Sequence, residues 1–319
     1  MTRAEIGMCF DRTFPAAAIP DYARRLEASG VDQLWVIEDC FFTAGVSLAA
    51  AALTATERLH VGIGIMPAVA RTAAMTAMEI TTLSNLAPGR LTAGIGHGVQ
   101  EWMGQMGVRP RSPLTALDET ITNVKRLLAG DEVTFAGDYV TLDRVRLDQP
   151  PAAGEIPHVL AGVQQPKSLA LAGRVADGAI LVEGTGPTYV DWALEHAGRP
   201  DDFRIVTFTL LSVADERAEA YRRVAPFVAG LFVERRPACT VLPFFDEVVE
   251  RIERDGHDAL VDMPADHWLE LGAVGTMDDA LAHVAALEAA GVGSINVFPG
   301  TDLDAAITQI AEVAALGTR

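Results

Sequence analysis

The chain has 319 residues, half of them hydrophobic, and its formal net charge of −18 argues against a nucleic acid or an anionic membrane as a partner. No apolar run approaches the ~18 residues of a membrane-spanning helix, and residues 1–10 lack the basic-then-apolar order of a signal peptide, so we expect a cytoplasmic protein. The three cysteines, Cys9, Cys40 and Cys239, lie far apart without a C-x-x-C pair, which disfavours a disulfide framework and a zinc site.

Apolar runs alternate with helical patterns along most of the chain. Strands are predicted at residues 5–10, 33–37, 60–65, 91–95, 157–162, 177–182, 203–213 and 294–298. Helices are predicted at residues 15–30, 44–56, 72–86, 114–129, 166–175, 189–196, 215–234, 276–290 and 303–316. This alternation favours an α/β fold, a (β/α)8 TIM barrel that forms a single domain over residues 1–319. A doubly wound open sheet is the alternative, disfavoured because the first strand–helix turn (FDRT, residues 10–13) contains no G-x-G-x-x-G.

Two stretches interrupt the alternation. Residues 133–143 (VTFAGDYVTLD) predict a small β-hairpin about Gly137. Residues 235–272 contain several prolines, and we expect an irregular insertion between the seventh and eighth strands that covers the barrel mouth. Its aromatic residues favour an apolar or aromatic substrate; they include Phe244, Phe245 and Trp268. We expect no metal site, because a superficially metal-like set matches no familiar ligand spacing and fits solvated helix ends: His257, Asp262, Asp266 and His267.

A glycine-rich stretch ends the fourth predicted strand. Gly94, Gly96 and Gly98 indicate that a ligand approaches the backbone there, and tight turns alone are the alternative. His97 stands between two of these glycines. It suits a proton donor or hydrogen-bond partner in a pocket, with a loop histidine bonded to the backbone as the alternative.

Acidic residues also stand at or near strand ends. Glu38 and Asp39 follow the second strand, where the catalytic residues of barrels concentrate, although capping of the next helix would also explain them. Glu101 is a further candidate for proton transfer, although a solvated helix residue is the commoner case. Trp102 either forms a wall of the pocket or fills the core.

Four segments, in this order along the chain, resemble the luciferase-like flavin- or deazaflavin-dependent oxidoreductases, and more closely their F420-dependent branch. They are residues 33–39 (QLWVIED), residues 54–98 (TATERL through TAGIGHG), residues 161–181 (AGVQQPKSLALAGRVADGAIL) and residues 275–298 (GTMDDALAHVAALEAAGVGSINVF). The resemblance covers nearly the whole chain and is weakest over residues 235–272. The order of the segments is the specific signal, since no single motif is decisive.

The resemblance implies a barrel that binds a flavin-like ring at the carboxyl ends of its strands. It implies a non-proline cis peptide at Gly64–Ile65 as a bulge behind the ring, and we expect Gly64, Ile65 and Met66 to contact the cofactor. Gly98 and Trp102 would line the ring. Asp39 is a candidate for a cofactor contact because of its position at a strand end. The ribityl chain and the phosphate would meet the segment before a helix start, where unpaired N–H groups favour an anion: Gly162, Val163, Gln164 and Gln165. Lys167 is a further candidate for the phosphate, with a surface lysine as the alternative.

Three departures from the relatives' patterns bear on the substrate. Relatives that oxidise sugar phosphate carry Asp-His after strand two, where this chain has Glu38–Asp39. Their acid after strand four falls on Val99, which cannot transfer a proton. The pterin-reductase relatives carry a glutamate where Cys9 stands. We therefore expect neither sugar-phosphate oxidation nor pterin reduction.

The residues and the resemblance together indicate an F420-dependent oxidoreductase that passes hydride between the deazaflavin and a small organic substrate. His97, or an acid among Glu38, Asp39 and Glu101, would manage the proton. An FMN-dependent monooxygenase and a flavin-binding protein without turnover are the alternatives. A cofactor-free hydrolase or aldolase would need a metal set or a Schiff-base lysine, and neither is found. We also expect a homodimer formed through the helices at 44–56 and 72–86, whose faces are small and apolar, with packing of these helices against the barrel alone as the alternative.

Overall fold

The structure is a computed structural model that describes residues 3–318. The predicted domain spans residues 1–319, of which 1, 2 and 319 lie outside the described residues. The strands are β1 (Glu5–Phe10), β2 (Gln33–Val36), β3 (His60–Pro67), β4 (Leu91–Gly96), β5 (Val133–Ala136), β6 (Thr141–Val145), β7 (His158–Gly162), β8 (Gly178–Leu181), β9 (Arg204–Val213), β10 (Gly272–Gly275) and β11 (Ser294–Phe298).

Helices connect these strands and form the outer layer of the fold. They are α1 (Ile19–Ser29), α2 (Gly45–Ala55), α3 (Ala73–Leu86), α4 (Gln100–Gln105), α5 (Pro113–Leu128), α6 (Pro166–Val175), α7 (Pro187–Ala197), α8 (Arg217–Val233), α9 (Pro237–Thr240), α10 (Phe245–Asp255), α11 (Ala265–Leu269), α12 (Met277–Ala289) and α13 (Leu303–Gly317). No helix between residues 3 and 318 is long and apolar enough to cross a membrane.

Eight parallel strands close into a barrel. The strands pair in the order β1, β2, β3, β4, β7, β8, β9 and β11, and β11 then pairs with β1. Both edges of the sheet are therefore paired, which excludes the doubly wound open sheet and confirms the predicted (β/α)8 barrel. Parallel strands covered on both faces should be almost continuously apolar, and β1 is buried at every position after Glu5. The predicted hairpin is β5–β6, an antiparallel pair outside the barrel.

The upper part of the barrel interior is filled by large side chains. Trp35 meets Phe208 edge to face, with their ring centroids 5.4 Å apart. Gly62 makes room for this indole, because a Cβ at that position would lie 2.3 Å from the Trp35 ring. The packed rings of Trp35 and Phe208 fill the barrel interior at this level.

The insertion at 235–272 is more regular than expected from its sequence. It forms α9, α10, α11 and a 3-10 turn at His257–Asp262, and it is followed by β10, a strand absent from the prediction. β10 pairs with the second half of β9, from Leu210 to Val213. The insertion packs against α8 in an apolar cluster separate from the main core.

The aromatic residues of the insertion lie in this cluster and not in the cavity at the barrel mouth, which corrects the inference drawn from them about the substrate. Phe245 stacks on Phe232, and Trp268 stacks on Tyr221 with 4.5 Å between ring centroids. Phe244 stacks on His267. The physical reason is that the helices of the insertion have apolar faces, and these faces are buried against α8. Arg236 is the residue that this segment contributes to the cavity wall.

Candidate active site

A cavity of 1840 Å³ lies at the carboxyl ends of the barrel strands. Most of the predicted site residues line it: Glu38, Asp39, Gly64, Ile65, His97, Gly98, Trp102, Gly162, Val163, Gln164, Gln165 and Lys167. Two predicted residues do not. Glu101 is exposed on α4, because Trp102 and the buried Met103 take the inward positions of that short helix. The Met66 side chain is buried in the main core instead.

The floor of the cavity is built around a bulge in β3. The Gly64–Ile65 peptide is cis, as is Cys40–Phe41. Ile63 pairs with Ala93 and Met66 with Ile95, so two residues of β3 face one residue of β4. The Ile65 side chain crosses neighbouring strand ends that carry no side chains. A Cβ on Gly96 would lie 2.8 Å from Ile65, and one on Gly162 would lie 2.7 Å away.

Glu38 is held by protein groups on several sides. Both terminal nitrogens of the Arg71 guanidinium contact its carboxylate, Nη2 at 3.0 Å, and the Gly45 N–H donates to Oε2 at 2.9 Å. Arg71 also forms an ion pair with Glu79 at 2.9 Å. Glu38 therefore stabilises the start of α2, which corresponds to the capping alternative considered for it.

Asp39 is engaged by a different cation. Its carboxylate forms an ion pair with Arg12, whose guanidinium also lies 4.8 Å from the centroid of the Phe42 ring. The two charged side chains remain about a third exposed, facing the cavity. Asp39 can still accept a hydrogen bond from a bound molecule there, since a carboxylate has room for several donors.

His97 is held in one tautomer by the backbone. Its Nδ1 lies 3.2 Å from the Pro113 carbonyl oxygen, which can only accept, so Nδ1 carries the proton. Burial lowers the pKa of His97, and the bond to Pro113 offsets part of that effect. The ring is therefore neutral near pH 7, and Nε2 is its free acceptor. Gln100 steadies this loop by donating to the His97 carbonyl at 3.1 Å.

The beginning of α6 forms one end of the cavity. Gln164 and Gln165 precede the helix, and the Tyr189 hydroxyl donates to the Gln164 carbonyl at 2.8 Å. The helix starts with Pro166, and its first-turn N–H groups and dipole favour an anion. Lys167 and Arg111 also line the cavity, and neither forms an ion pair with another residue between positions 3 and 318. This end of the cavity can hold a phosphate although the whole chain is acidic.

Glu183, which is absent from the residues predicted above, lines the cavity two residues after β8. Burial raises the pKa of its carboxyl. A signal was present, because the predicted strand at 177–182 runs directly into this carboxylate at the barrel end where catalytic residues lie.

Helix α8 forms a mostly apolar wall of the cavity, and none of its residues is among those predicted from the sequence. Val224, Phe227 and Leu231 line the cavity, and Phe227 is 48% exposed. Between residues 3 and 318 no group of three or more His, Cys, Asp or Glu side chains is placed to hold a metal ion. The site thus combines an apolar wall, a neutral imidazole, a carboxyl with a raised pKa and an anion-binding end.

Comparison with known proteins places the chain in a family of redox enzymes. Residues 3–294 match the family described as luciferase-like monooxygenase. A 5,10-methylenetetrahydromethanopterin reductase of Methanolobus tindarius is 29% identical over 239 residues, 72% of each chain. A putative coenzyme F420-dependent oxidoreductase of Mycobacterium tuberculosis is 27% identical over 299 residues, 82% of this chain and 84% of the relative.

A solved structure of the same architecture supports the fold. The coenzyme F420-dependent tetrahydromethanopterin reductase of Methanopyrus kandleri has a TM-score of 0.76 at 20% sequence identity, over 98% of each chain. Because the family match spans most of the chain, the protein belongs to the luciferase-like monooxygenase family and is an oxidoreductase enzyme.

Proposed function

We propose that this enzyme transfers hydride between coenzyme F420 and a small organic substrate. The observation that carries the proposal is that the β3 bulge at Ile65 and the start of α6 line the same large cavity. The bulge offers a surface on which a planar ring can lie, and α6 offers a place for the ring's phosphate at its side. F420-dependent relatives of similar length add support.

The residues present fit this cofactor. Gly96 and Gly162 leave space that a Cβ would fill, and the Ile65 side chain occupies it as a floor. Gly98 and Trp102 would border the ring, and Gln164, Gln165 and Lys167 would surround the phosphate. When bound, F420 supplies two-electron hydride chemistry.

The chain's own groups would orient the substrate and handle its proton. His97 presents Nε2 as an acceptor, so it can receive a hydrogen bond from a substrate hydroxyl and orient it. Asp39 with Arg12 would contact the polar edge of the cofactor. Glu38 is less suited to proton transfer, since Arg71 and the α2 N-terminus already occupy its oxygens. The α8 wall favours a substrate with an apolar body and excludes water from it.

An FMN-dependent monooxygenase is the second candidate, because the matched family is named for that activity. The two candidates differ in their reaction with oxygen. Reduced FMN reacts readily with O2, whereas a reduced 5-deazaflavin does not form the corresponding peroxide. Oxygen consumption therefore separates them.

Equilibrium binding tests the proposal. F420, the deazaflavin riboside without its phosphate chain, and FMN would each be titrated into purified protein with fluorescence as the signal. We expect F420 to bind at micromolar concentrations or tighter and both others at least ~10-fold more weakly, a difference of ~1.4 kcal/mol. A preference for FMN, with oxygen uptake on reduction, would refute the F420 assignment. Equal binding of the riboside would refute the role of α6.

The same proposal includes a homodimer formed through α2 and α3. Three large apolar side chains of α3 are about half exposed: Met75, Met78 and Leu86. A row of such residues on one helix is unusual for a surface that faces only water.

A further inference from the structure

Glu183 is the cavity acid without a partner. Its side chain is half-buried and faces the cavity, and its own backbone N–H is the donor near its carboxyl. Among residues 3–318 no other residue donates a hydrogen bond or forms an ion pair to this carboxyl.

Each of the other cavity carboxylates is engaged by the protein. Asp11 accepts from the Thr13 N–H at 2.9 Å, and Arg236 contacts Glu234 at 2.9 Å. Glu38 and Asp39 have their arginine partners, as described above. Glu183 therefore differs from its neighbours in being free to bind a ligand or to exchange a proton with one.

Charged groups from three other parts of the barrel mouth act on Glu183. Arg236 and Arg12 favour its ionised form, whereas Asp39 opposes it, and burial outweighs them in raising the pKa of the carboxyl. Cys9 lies close enough for its own pKa to be raised further by the Glu183 charge. Groups at the ends of β1 and β2 are therefore within electrostatic range of Glu183 at the end of β8.

The protonation states of the cavity groups indicate that this carboxyl can act as the proton donor. In the tautomer fixed by Pro113, the neutral His97 has no proton on Nε2, so it can accept a proton but has none to give into the cavity. Reduction of a carbonyl needs a group that gives one. Two groups whose surroundings shift their pKa values in opposite directions are the usual arrangement of an acid and a base in one site.

We propose that Glu183 is the catalytic acid of this enzyme, the group that protonates the oxygen of a ketone substrate as hydride reaches the carbonyl carbon. The inference rests on the proposed F420 function. The C=O π bond opens, a C–H bond forms with hydride from the reduced deazaflavin, and an O–H bond forms with the Glu183 proton. The Glu183 O–H bond breaks in the same step, and the carboxylate regains a proton from water. In alcohol oxidation the carboxylate accepts the proton instead.

The experiment compares wild type, Glu183→Gln and Glu183→Asp with Glu195→Gln, a surface glutamate of α7 as the matched control. F420 binding comes first, and we expect all four proteins to agree within ~2-fold. Failure of the wild type to bind F420 overturns the proposed function and is recorded separately. Acetone and cyclohexanone reduction with reduced F420 comes next. General acid catalysis contributes ~10²–10⁴-fold, so kcat should fall at least ~100-fold in Glu183→Gln with KM nearly unchanged, and recover in part in Glu183→Asp.

A titration without substrate gives a second readout. With glutamate ¹³C-labelled at the side-chain carboxyl, the NMR resonance that vanishes in Glu183→Gln and persists in Glu195→Gln should titrate above the ordinary glutamate range. A Glu183 resonance that titrates in the ordinary range overturns the proposal, whether or not either ketone is reduced. Retention of more than a tenth of the wild-type kcat by Glu183→Gln overturns it as well.

Discussion

Replacement of Arg71 by leucine would leave the Glu38 carboxylate buried without its cation. The Glu38 and Arg71 side chains are only 9% and 21% exposed, and both terminal nitrogens of the guanidinium contact the carboxylate. Loss of one partner from a buried pair costs ~3–5 kcal/mol. The Gly45 N–H remains as a donor and Arg71 is partly hydrated. We therefore expect a loss near the lower end, about 3 kcal/mol of unfolding free energy.

Urea unfolding followed by circular dichroism measures this loss, and a double-mutant cycle isolates the pair. Glu38→Gln, Arg71→Leu and the double variant should show a coupling energy of ~2 kcal/mol, because removal of both charges leaves neither one buried alone. Arg25→Leu is the matched control. Its partner Asp21 and Arg25 itself are 60% and 53% exposed, so this change should stay within ~0.5 kcal/mol.

Two results would refute the reasoning. A loss below ~1 kcal/mol in Arg71→Leu would mean that Glu38 is hydrated rather than fixed by the ion pair. Additive losses in the two single variants would mean that the groups do not interact. Either result would return Glu38 to the candidates for proton transfer, since its assignment to α2 depends on these contacts.

Three further predictions concern the cavity and the surface. Gly162→Ala should weaken F420 binding at least ~10-fold in a fluorescence titration, because the new Cβ displaces Ile65 from the floor, whereas Gly154→Ala, with no atom near its Cβ, should bind as the wild type does. The KM for an alcohol substrate should rise at acid pH as His97 gains a proton and can no longer accept the substrate's hydrogen bond, at a pH below the ordinary histidine range because its pKa is lowered; a rise in KM that is unchanged in His97→Asn contradicts the role. Met78→Glu should convert a dimer into a monomer in light scattering with unchanged circular dichroism, and a wild type that is itself monomeric would contradict the interface.

The fold was predictable because its strands are buried on both faces and read as short apolar runs between helical patterns. The eight barrel strands and the outer hairpin all lie where the sequence predicts them, with differences of one or two residues at most ends. β10 was not predictable, since Gly272–Gly275 (GAVG) has no run of its own and depends on the extra length of β9. The order within the insertion was also hidden, because its apolar faces are completed only by α8.

The candidate site was predictable where strand position alone decides. The glycines at the ends of β4 and β7 leave space beside the backbone, and the Ile65 side chain occupies part of this space. Partners distant in the sequence could not be predicted. Arg71 is remote from Glu38, and nothing in the local pattern indicates that they meet. Glu101 does not line the cavity for a local reason, because the next residue of the short helix α4, Trp102, faces the cavity and Glu101 faces solvent.

The position of the acid in this barrel follows from its symmetry. The carboxyl ends of all eight strands lie at the same end of the barrel, so a proton donor for the cavity can come from any of them. At the end of β4 this chain has Val99, a side chain 46% exposed that cannot carry a proton. Glu183 lines the same cavity from the end of β8, within electrostatic range of groups at the ends of β1 and β2. The end of β8 can therefore supply a proton that Val99 cannot, and a substrate oxygen must approach Glu183 from that side of the cavity.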